Sequence, residues 1–450
     1  MMTPEQAREL ARKVVSLTSA DEAEALVAAE NNALTRFANN RITQNVAEDN
    51  VQVNVRAVLG KRVGVASTNR LDDDALRATC EAAVKAARIA PEDPSFPGLP
   101  APSAGGLPST ETRSRAAAAT RAFDAESRAR AAGTIIAQSA QRGLSAAGKV
   151  RVAEHSIAVA NSLGVDVGMA LTGAQATVLS MGPDSGSGWA SFLDADSSRF
   201  APDALGNAAA ELAERSANPI ALDPGAYRVV LGPEAVADLL DFLSYVGFSA
   251  KAVAEGRSFM AGQEGKRLMS ELVTITDDAL SPHAMGTSFD YEGQPRQRVV
   301  LIDRGVVGLP VTDSYWAAKL GRDNTGHALP APNSFGPLPL NLELAEGDAS
   351  LDELIGSVKR GVYVTRFHYV NVEDPVSVKL TGMTRDGTFM IEDGRLTSPL
   401  KNLRFTQSAV ETLATCEGVT RDRSFIGTEE GASYAPALLL GSFAFTGQTT

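Results

Sequence analysis

Glu234 is the side chain in this sequence best placed to do chemistry. It follows Gly232 and Pro233 at the end of an apolar, β-branched run, 227–231 (YRVVL), the composition of a buried strand. Downstream of it Val236, Leu239, Leu240, Leu243 and Val246 recur on one face of a helix. Pro233 suits the first helical position, where its missing N–H costs nothing. A buried strand delivering a helix with a first-turn glutamate is how many metallopeptidases set a general base beside metal-bound water. The same glutamate without a metal is simply an anion stabilised by the helix dipole. The histidines favour the second description. There are four, His155, His283, His327 and His368, and none lies four residues from another histidine.

Other catalytic constellations are missing. No Gly-x-Ser-x-Gly elbow occurs, and neither Cys80 nor Cys416 has neighbours that would activate a thiol. Cys80 falls on an apolar helix face with Leu76, Val84 and Ala87, the position of a buried small hydrophobe. The glycine-rich run 182–188 (GPDSGSG) lacks the Lys-Ser/Thr and the following helix of a phosphate loop, so it reads as a hairpin tip.

The elements that must position Glu234 come in two blocks. Thr3 to Gln6 (TPEQ) reads as a capping box opening a helix over 4–16. Strand signals follow at 24–30 and around Val51, Val53 and Val55, separated by an Asn39-Asn40 turn, and a helix is expected over 72–90. Residues 91–108 carry six prolines and form an extended crossing. The Ala- and Arg-rich stretch 109–143 predicts one long helix, with Arg113, Arg115, Arg121, Arg128 and Arg130 on a solvated face. Two strands joined at 161–164 lie within 149–180, and a helix spans 203–216. Beyond Glu234 the chain turns strand-rich, with strands expected at 272–276, 298–302, 361–366, 376–380, 389–391 and 436–445. A short helix opens at a second capping box, 350–353, and a Pro-rich loop fills 328–340. The fold class is therefore α+β. An N-terminal α/β domain (1–220) precedes a strand-rich domain (221–450) with a curved or barrel-like antiparallel sheet packed on the Glu234 helix.

The stretch 227–256 resembles the TldD/TldE (PmbA) family, peptidase family U62, also known as modulator of DNA gyrase. The segments 36–71, 159–168, 271–278, 289–321, 324–327 (NTGH) and 389–402 are similar to family segments in the same order. In catalytic TldD-type chains the helix opens with His-Glu-x-x-x-His, and a cysteine near the C-terminus supplies a third zinc ligand. In this sequence the two histidine positions hold Pro233 and Asp238, the cysteine position holds Ile426, and Glu234 is kept. The resemblance thus implies a TldE (PmbA)-like subunit with a degenerate metal site in the C-terminal domain and no cofactor of its own. Zinc is expected in a TldD-like partner chain, in a heterodimer that encloses unfolded peptides, with a homodimer as the form without that partner. Asn324, Thr325, Gly326 and His327 are candidates for lining the peptide groove. Two alternatives stand beside this reading, an autonomous metallopeptidase with unusual ligands and a modulator of DNA gyrase.

Composition narrows the field further. At 450 residues with 44% hydrophobic and 21% charged residues, the chain can build ample core. A net charge of −12 argues against a nucleic-acid groove, which needs a basic stripe. Two cysteines cannot build a disulfide framework in a chain of this length. No apolar run approaches a membrane span and the N-terminus has no signal-peptide h-region, so no membrane partner and a cytoplasmic location are expected.

Overall fold

The capping box at the start of the chain forms. Thr3 Oγ1 accepts from the Gln6 N–H at 3.2 Å, and Gln6 Oε1 accepts from the Thr3 N–H at 2.9 Å, opening α1 (Pro4–Leu17). The computed structural model describes residues 2–104, 106, 115–427 and 431–448. Three strands come next, β1 (Glu22–Ala38), β2 (Arg41–Leu59) and β3 (Arg62–Thr68). The β1–β2 turn runs through Asn39 and Asn40 at φ 50° and 60°, a conformation that asparagine tolerates. Helix α2 (Asp73–Ile89), capped by Asp72, packs closely on β3 at Gly64, where a Cβ would lie 2.2 Å from the Ala83 carbonyl oxygen.

After the proline-rich crossing come α3 (Ala118–Arg121), α4 (Ala125–Ala140), β4 (Ser145–Asn161), β5 (Asp166–Met181), β6 (Ser187–Asp194) and α5 (Pro202–Arg215). The six strands form one antiparallel sheet in the order β3-β2-β1-β4-β5-β6. The single long helix expected over 109–143 is not what forms. Residues 109–114 lie outside the described residues, and the rest is split because Asp124 caps α4, its carboxylate accepting from the Ser127 N–H at 2.8 Å. The arginines of this stretch also differ from a solvated face. Arg128 is buried and donates to the Phe123 carbonyl and Asn45 Oδ1, and Arg115 is buried against the Gly286 carbonyl, whereas Arg121 and Arg130 pair with Glu154 and Glu126 near the surface.

The second half begins with β7 (Gly225–Leu231), α6 (Pro233–Val246), α7 (Ala250–Ala254), β8 (Ile275–Asp277), β9 (Val299–Asp303) and β10 (Val306–Val307). It continues with α8 (Ser314–Leu320), β11 (Asn341–Leu344), α9 (Leu351–Gly356), β12 (Arg360–Asp374), β13 (Lys379–Glu392) and β14 (Arg395–Pro399). It ends with β15 (Leu403–Ser408), α10 (Ala409–Ala414), β16 (Cys416–Gly427) and β17 (Ala432–Gln448). Two expected strands shift. Only 275–277 of the stretch 272–276 and its flank is extended, and 375–378 is a turn with Val378 at φ 48°, so β13 starts at Lys379.

This sheet closes on itself. β7 pairs with β12, β12 with β13, β13 with β15, β15 with β17, and β17 returns to β7. Most pairs are antiparallel, but β7–β12 and β11–β17 are parallel, which the long excursions between those strands allow. The apolar face of α6 is sealed in the ring's core. Leu239, Leu240 and Leu243 are at most 2% exposed and pack with Leu231, Val364, Leu438 and Phe443. Such burial stabilises the fold by about 1.5–3 kcal/mol per side chain, so α6 is anchored rigidly. The two sheets meet through the segment around Phe289, which packs on Leu26, Val159 and Val165 of the first sheet's side. No helix among the described residues is long and apolar enough to cross a membrane.

Candidate functional site

The start of α6 is pinned by backbone. Gly232 donates its N–H to the Val364 carbonyl at 2.8 Å, and a Cβ at 232 would come within 3.0 Å of the Thr365 carbonyl oxygen. Pro233 takes the first helical position as its sequence predicts. With the leucine face turned inward, the opposite face carries Glu234, Asp238 and Asp241 into a cavity of about 1110 Å³. Gln175 and Thr177 of β5, Trp189, Ser191 and Leu193 of β6, and residues 366–372 of β12 form the facing walls. Lys149 and Gly427 also line it, and Tyr245 and Phe335 stand at its border with ring centroids 5.8 Å apart.

Two of these carboxylates, Glu234 and Asp238, have little positive charge against them. Glu234 accepts a short hydrogen bond from Ser191 Oγ. Burial pushes its carboxyl above the ordinary value, opposed by Ser191 and Arg366. Burial and then the Glu234 charge push Asp238 up to about 8, with Asp241 adding to the shift and Arg366 and the Phe367 N–H opposing it. Arg366 is committed elsewhere. Its Nε and Nη2 donate to Asp386 Oδ2 at 2.9 and 2.8 Å, and its guanidinium lies 4.1 Å from the Trp189 ring centroid. Asp386 is held in turn by Ser187 Oγ at 2.7 Å. Among the described residues, neither Glu234 nor Asp238 forms an ion pair.

The backbone along this cavity is also under-used. β7 covers its side of β12 only over Gly361–Val364. From Arg366 onward no strand among the described residues pairs on that side, and this is the stretch that lines the cavity. β12 is irregular here, with register shifts between Val364 and Arg366 and between His368 and Asn371. Tyr369 sits in the second of these at φ 51° and is 72% exposed. A free strand edge in a polar cavity can take an extended chain through main-chain hydrogen bonds.

The donors that zinc would need are a different matter. A hydrolytic zinc takes three protein ligands. Pro233 offers no donor atom, and Ile426 is an alkyl side chain in the core, 8% exposed. Asp238 alone of the three positions carries a lone pair, and among the described residues no three His, Cys, Asp or Glu side chains group as a metal site. Cys416 is buried with its thiol pushed up to about 11 by burial, and Cys80 packs in the α1–α2 core. His368 lines the cavity, and burial, Arg366 and Arg385 hold its pKa below the usual imidazole range, which keeps the ring in the neutral form that can ligate; it stands alone there as an imidazole. The described residues at this site do not group the three ligands that a zinc ion takes.

The loop 324–327 does not line this cavity. His327 is 0% exposed; its Nε2 lies 2.9 Å from Asp277 Oδ1 and its Nδ1 2.9 Å from Thr325 Oγ1. Thr325 Oγ1 also meets the Thr312 N–H at 2.8 Å and the Thr312 carbonyl at 3.0 Å. A hydroxyl so occupied is not a nucleophile, despite the Asp-His-Thr order. Gly326 is pressed on the Pro295 carbonyl, where a Cβ would come within 2.2 Å, and Asn324 bonds Ser314 Oγ and the Gly326 N–H. The four residues clamp the chain together.

The site's remaining members, Trp189, Ser191, Arg366, Tyr369 and Phe335, carry no local signal, since each lies on a segment remote from α6 in sequence. Asp241 does have one: it is the third acid on the Glu234 face, seven residues on.

Comparison with known proteins agrees with this geometry. Residues 224–447 match the PmbA/TldA metallopeptidase C-terminal domain, and residues 23–87 match the PmbA/TldA metallopeptidase domain 1. A Methanothermobacter thermautotrophicus metalloprotease is 29% identical over 204 residues, covering 44% of this chain and 43% of the relative. A Buchnera aphidicola metalloprotease TldD homolog is 31% identical over 192 residues, 42% of this chain and 39% of the relative. The chain thus spans about two fifths of the length of these curated relatives. The crystal structure of TldE from Thermococcus kodakarensis superposes with a TM-score of 0.86 at 20% identity, covering 98% of this chain and 99% of that one. A Thermotoga maritima protein described as a proposed modulator of a DNA gyrase gives 0.87 at 18% identity, covering 97% and 99%. At such identities these two structures establish the shared fold.

Proposed function

Because the chain belongs to the TldD/TldE (PmbA) family of metallopeptidases, we propose that it is a TldE-like subunit that binds and encloses unfolded peptides and leaves bond cleavage to a zinc-bearing, TldD-like partner. The observation that supports this reading is the donor set at the start of α6. Of the three positions that hold zinc in catalytic relatives, Pro233 and Ile426 have no lone pair to give, which leaves Asp238 where three ligands are needed. Glu234 then has no metal-bound water to deprotonate. What remains suits binding: a cavity of about 1110 Å³, a strand edge left open along β12, and aromatic side chains at its border. Extended peptides add to such an edge with little demand on their sequence.

Mixing tests the proposal. The purified chain alone should carry no stoichiometric zinc and cleave no unstructured peptide. Adding a homologue with the intact His-Glu-x-x-x-His helix should produce peptidase activity and a heterodimer on size-exclusion chromatography. Absence of both gains would overturn it. A second reading, an autonomous metallopeptidase, draws on Glu234, Asp238 and His368 lining one cavity. Zinc in the purified chain that leaves together with activity on chelation would favour that reading. Modulation of gyrase is tested directly by a supercoiling assay with the purified chain.

A further inference from the structure

The wall of the cavity across from α6 is one face of the first sheet, and strand register fixes which side chains share it. Arg36 of β1 pairs with Lys149 of β4, Lys149 with Thr177 of β5, and Thr177 with Ser191 of β6. Directly opposed residues lie on the same face, so two cations and two hydroxyls form a single row. In the next row stand Leu34, Arg151, Gln175 and Leu193. Lys149, Thr177, Ser191 and Gln175 line the cavity, and Arg36 is exposed on the strand beside Lys149.

The charges of the two rows are met differently. Arg151 donates to Glu30 Oε1 at 2.9 Å and to Asn32 Oδ1 at 2.7 Å. Among the described residues, neither Lys149 nor Arg36 has an ion pair or a side-chain hydrogen bond. Like charges set directly opposite each other across two strands repel. Burial, then Arg151 and Arg36, hold the Lys149 ammonium below the ordinary lysine range, and no acid acts beside them. Ser191, where the sheet reaches Glu234, is two strands from Lys149, about 10 Å away. The Thr177 hydroxyl and the Gln175 amide, also without a side-chain partner among the described residues, add neutral donors on the adjoining strand. Two cations and two neutral donors with no acceptor of their own, grouped on one wall of a cavity, have the chemistry of a carboxylate site.

We propose that Lys149 and Arg36, with Thr177 and Gln175, form a subsite for a carboxylate of the bound peptide, supplied by its C-terminus or by an acidic side chain. This rests on the reading of the cavity as a peptide chamber. Such a subsite gives a chamber that otherwise grips main chain a preference for chains with a negative charge at one position.

The test uses the full chain and three unstructured peptides of equal length, each labelled at its N-terminus with a neutral dye. The first has Gln at the guest position and an amidated C-terminus, the second Gln and a free C-terminus, the third Glu and an amidated C-terminus. Binding is read by fluorescence anisotropy. At least one carboxylate peptide should bind about tenfold or more tighter than the first at low ionic strength, and the gain should shrink as salt is added. A gain for the second peptide assigns the subsite to the C-terminus, and a gain for the third to an acidic side chain. An Arg36→Gln/Lys149→Gln variant should bind all three alike, at the wild-type affinity for the first. A control variant, Arg77→Gln/Lys85→Gln, removes the same charge from the exposed face of α2 and should keep the gain. Equal binding of the three peptides to the wild-type chain overturns the subsite and leaves the chamber reading standing. A gain that survives in Arg36→Gln/Lys149→Gln, or is lost in the control, also overturns the subsite, because the carboxylate would then be met elsewhere. Failure to bind any of the three overturns both readings. The wild-type series needs no substitution, so a variant that folds poorly cannot obscure the result.

Discussion

Asp277 and Asp238 begin from the same circumstance and end on opposite sides of the ordinary carboxylate range. For each, burial is the largest influence and pushes the carboxyl up. At Asp277 the charge and hydrogen bond of His327, with Arg296 and the Asn341 N–H, outweigh burial and hold it below the usual value. The geometry is closed: His327 Nε2 at 2.9 Å on one oxygen, the Asn341 N–H at 2.7 Å on the other. At Asp238 the neighbours are acids, and Arg366 faces away to Asp386. The first cluster is complete within the chain and holds the loop 324–327 to β8. The second is left short of positive charge where it meets a cavity. A charge that a protein finishes with its own residues is a structural device; one it leaves unfinished at a cavity is open to something from outside.

That contrast is broken or sharpened by three substitutions. The largest effect belongs to Asp277→Ala, which strands His327 and the Asn341 N–H in a fully buried site. A loss of about 3–5 kcal/mol in urea denaturation is expected, and a loss below ~1 kcal/mol would show that the clamp does not depend on this pair. Asp238→Asn should act in the other direction. A carboxyl raised to about 8 in the folded state from an ordinary 3.8 is protonated there while the unfolded chain has released its proton. Stability therefore falls as pH rises between those two values. The amide does not titrate, so the variant's gain in melting temperature should be near zero at pH 4, grow toward pH 8 and then level off. A gain independent of pH would mean that Asp238 is not strained by its neighbours. The smallest effect is expected for Ser191→Ala, which removes one hydrogen bond from Glu234 at a cost of about 1 kcal/mol. Glu234 should titrate still higher in that variant, as followed by carboxyl signals in NMR.

Much of the scaffold is legible in the sequence alone. Both capping boxes form, at Thr3–Gln6 and at Ser350–Glu353, because a cap is made by residues within one turn of each other. The Asn39-Asn40 turn and the apolar stripe of α6 are local in the same way. The stretch 109–143 misled because helix propensity there is high throughout, and Asp124 breaks it only through a side-chain bond that composition does not reveal. His327 misled for another reason. A histidine in a glycine-containing loop looks exposed until Asp277, 50 residues away, is found on its ring nitrogen.

The sequence by itself determined that α6 would open on Pro233 and Glu234 and that Pro233 and Ile426 could give no ligand to a metal. A pyrrolidine ring and an alkyl chain lack a free lone pair in any fold. Only the tertiary structure decided what the carboxylates of α6 face. The burial of Glu234 and Asp238, their shortage of counter-charge and the open edge beside them come from β6 and β12, brought to α6 by the packing of two sheets. Solvent exclusion and Coulomb interactions depend on distance in space, and spacing along the chain does not encode them.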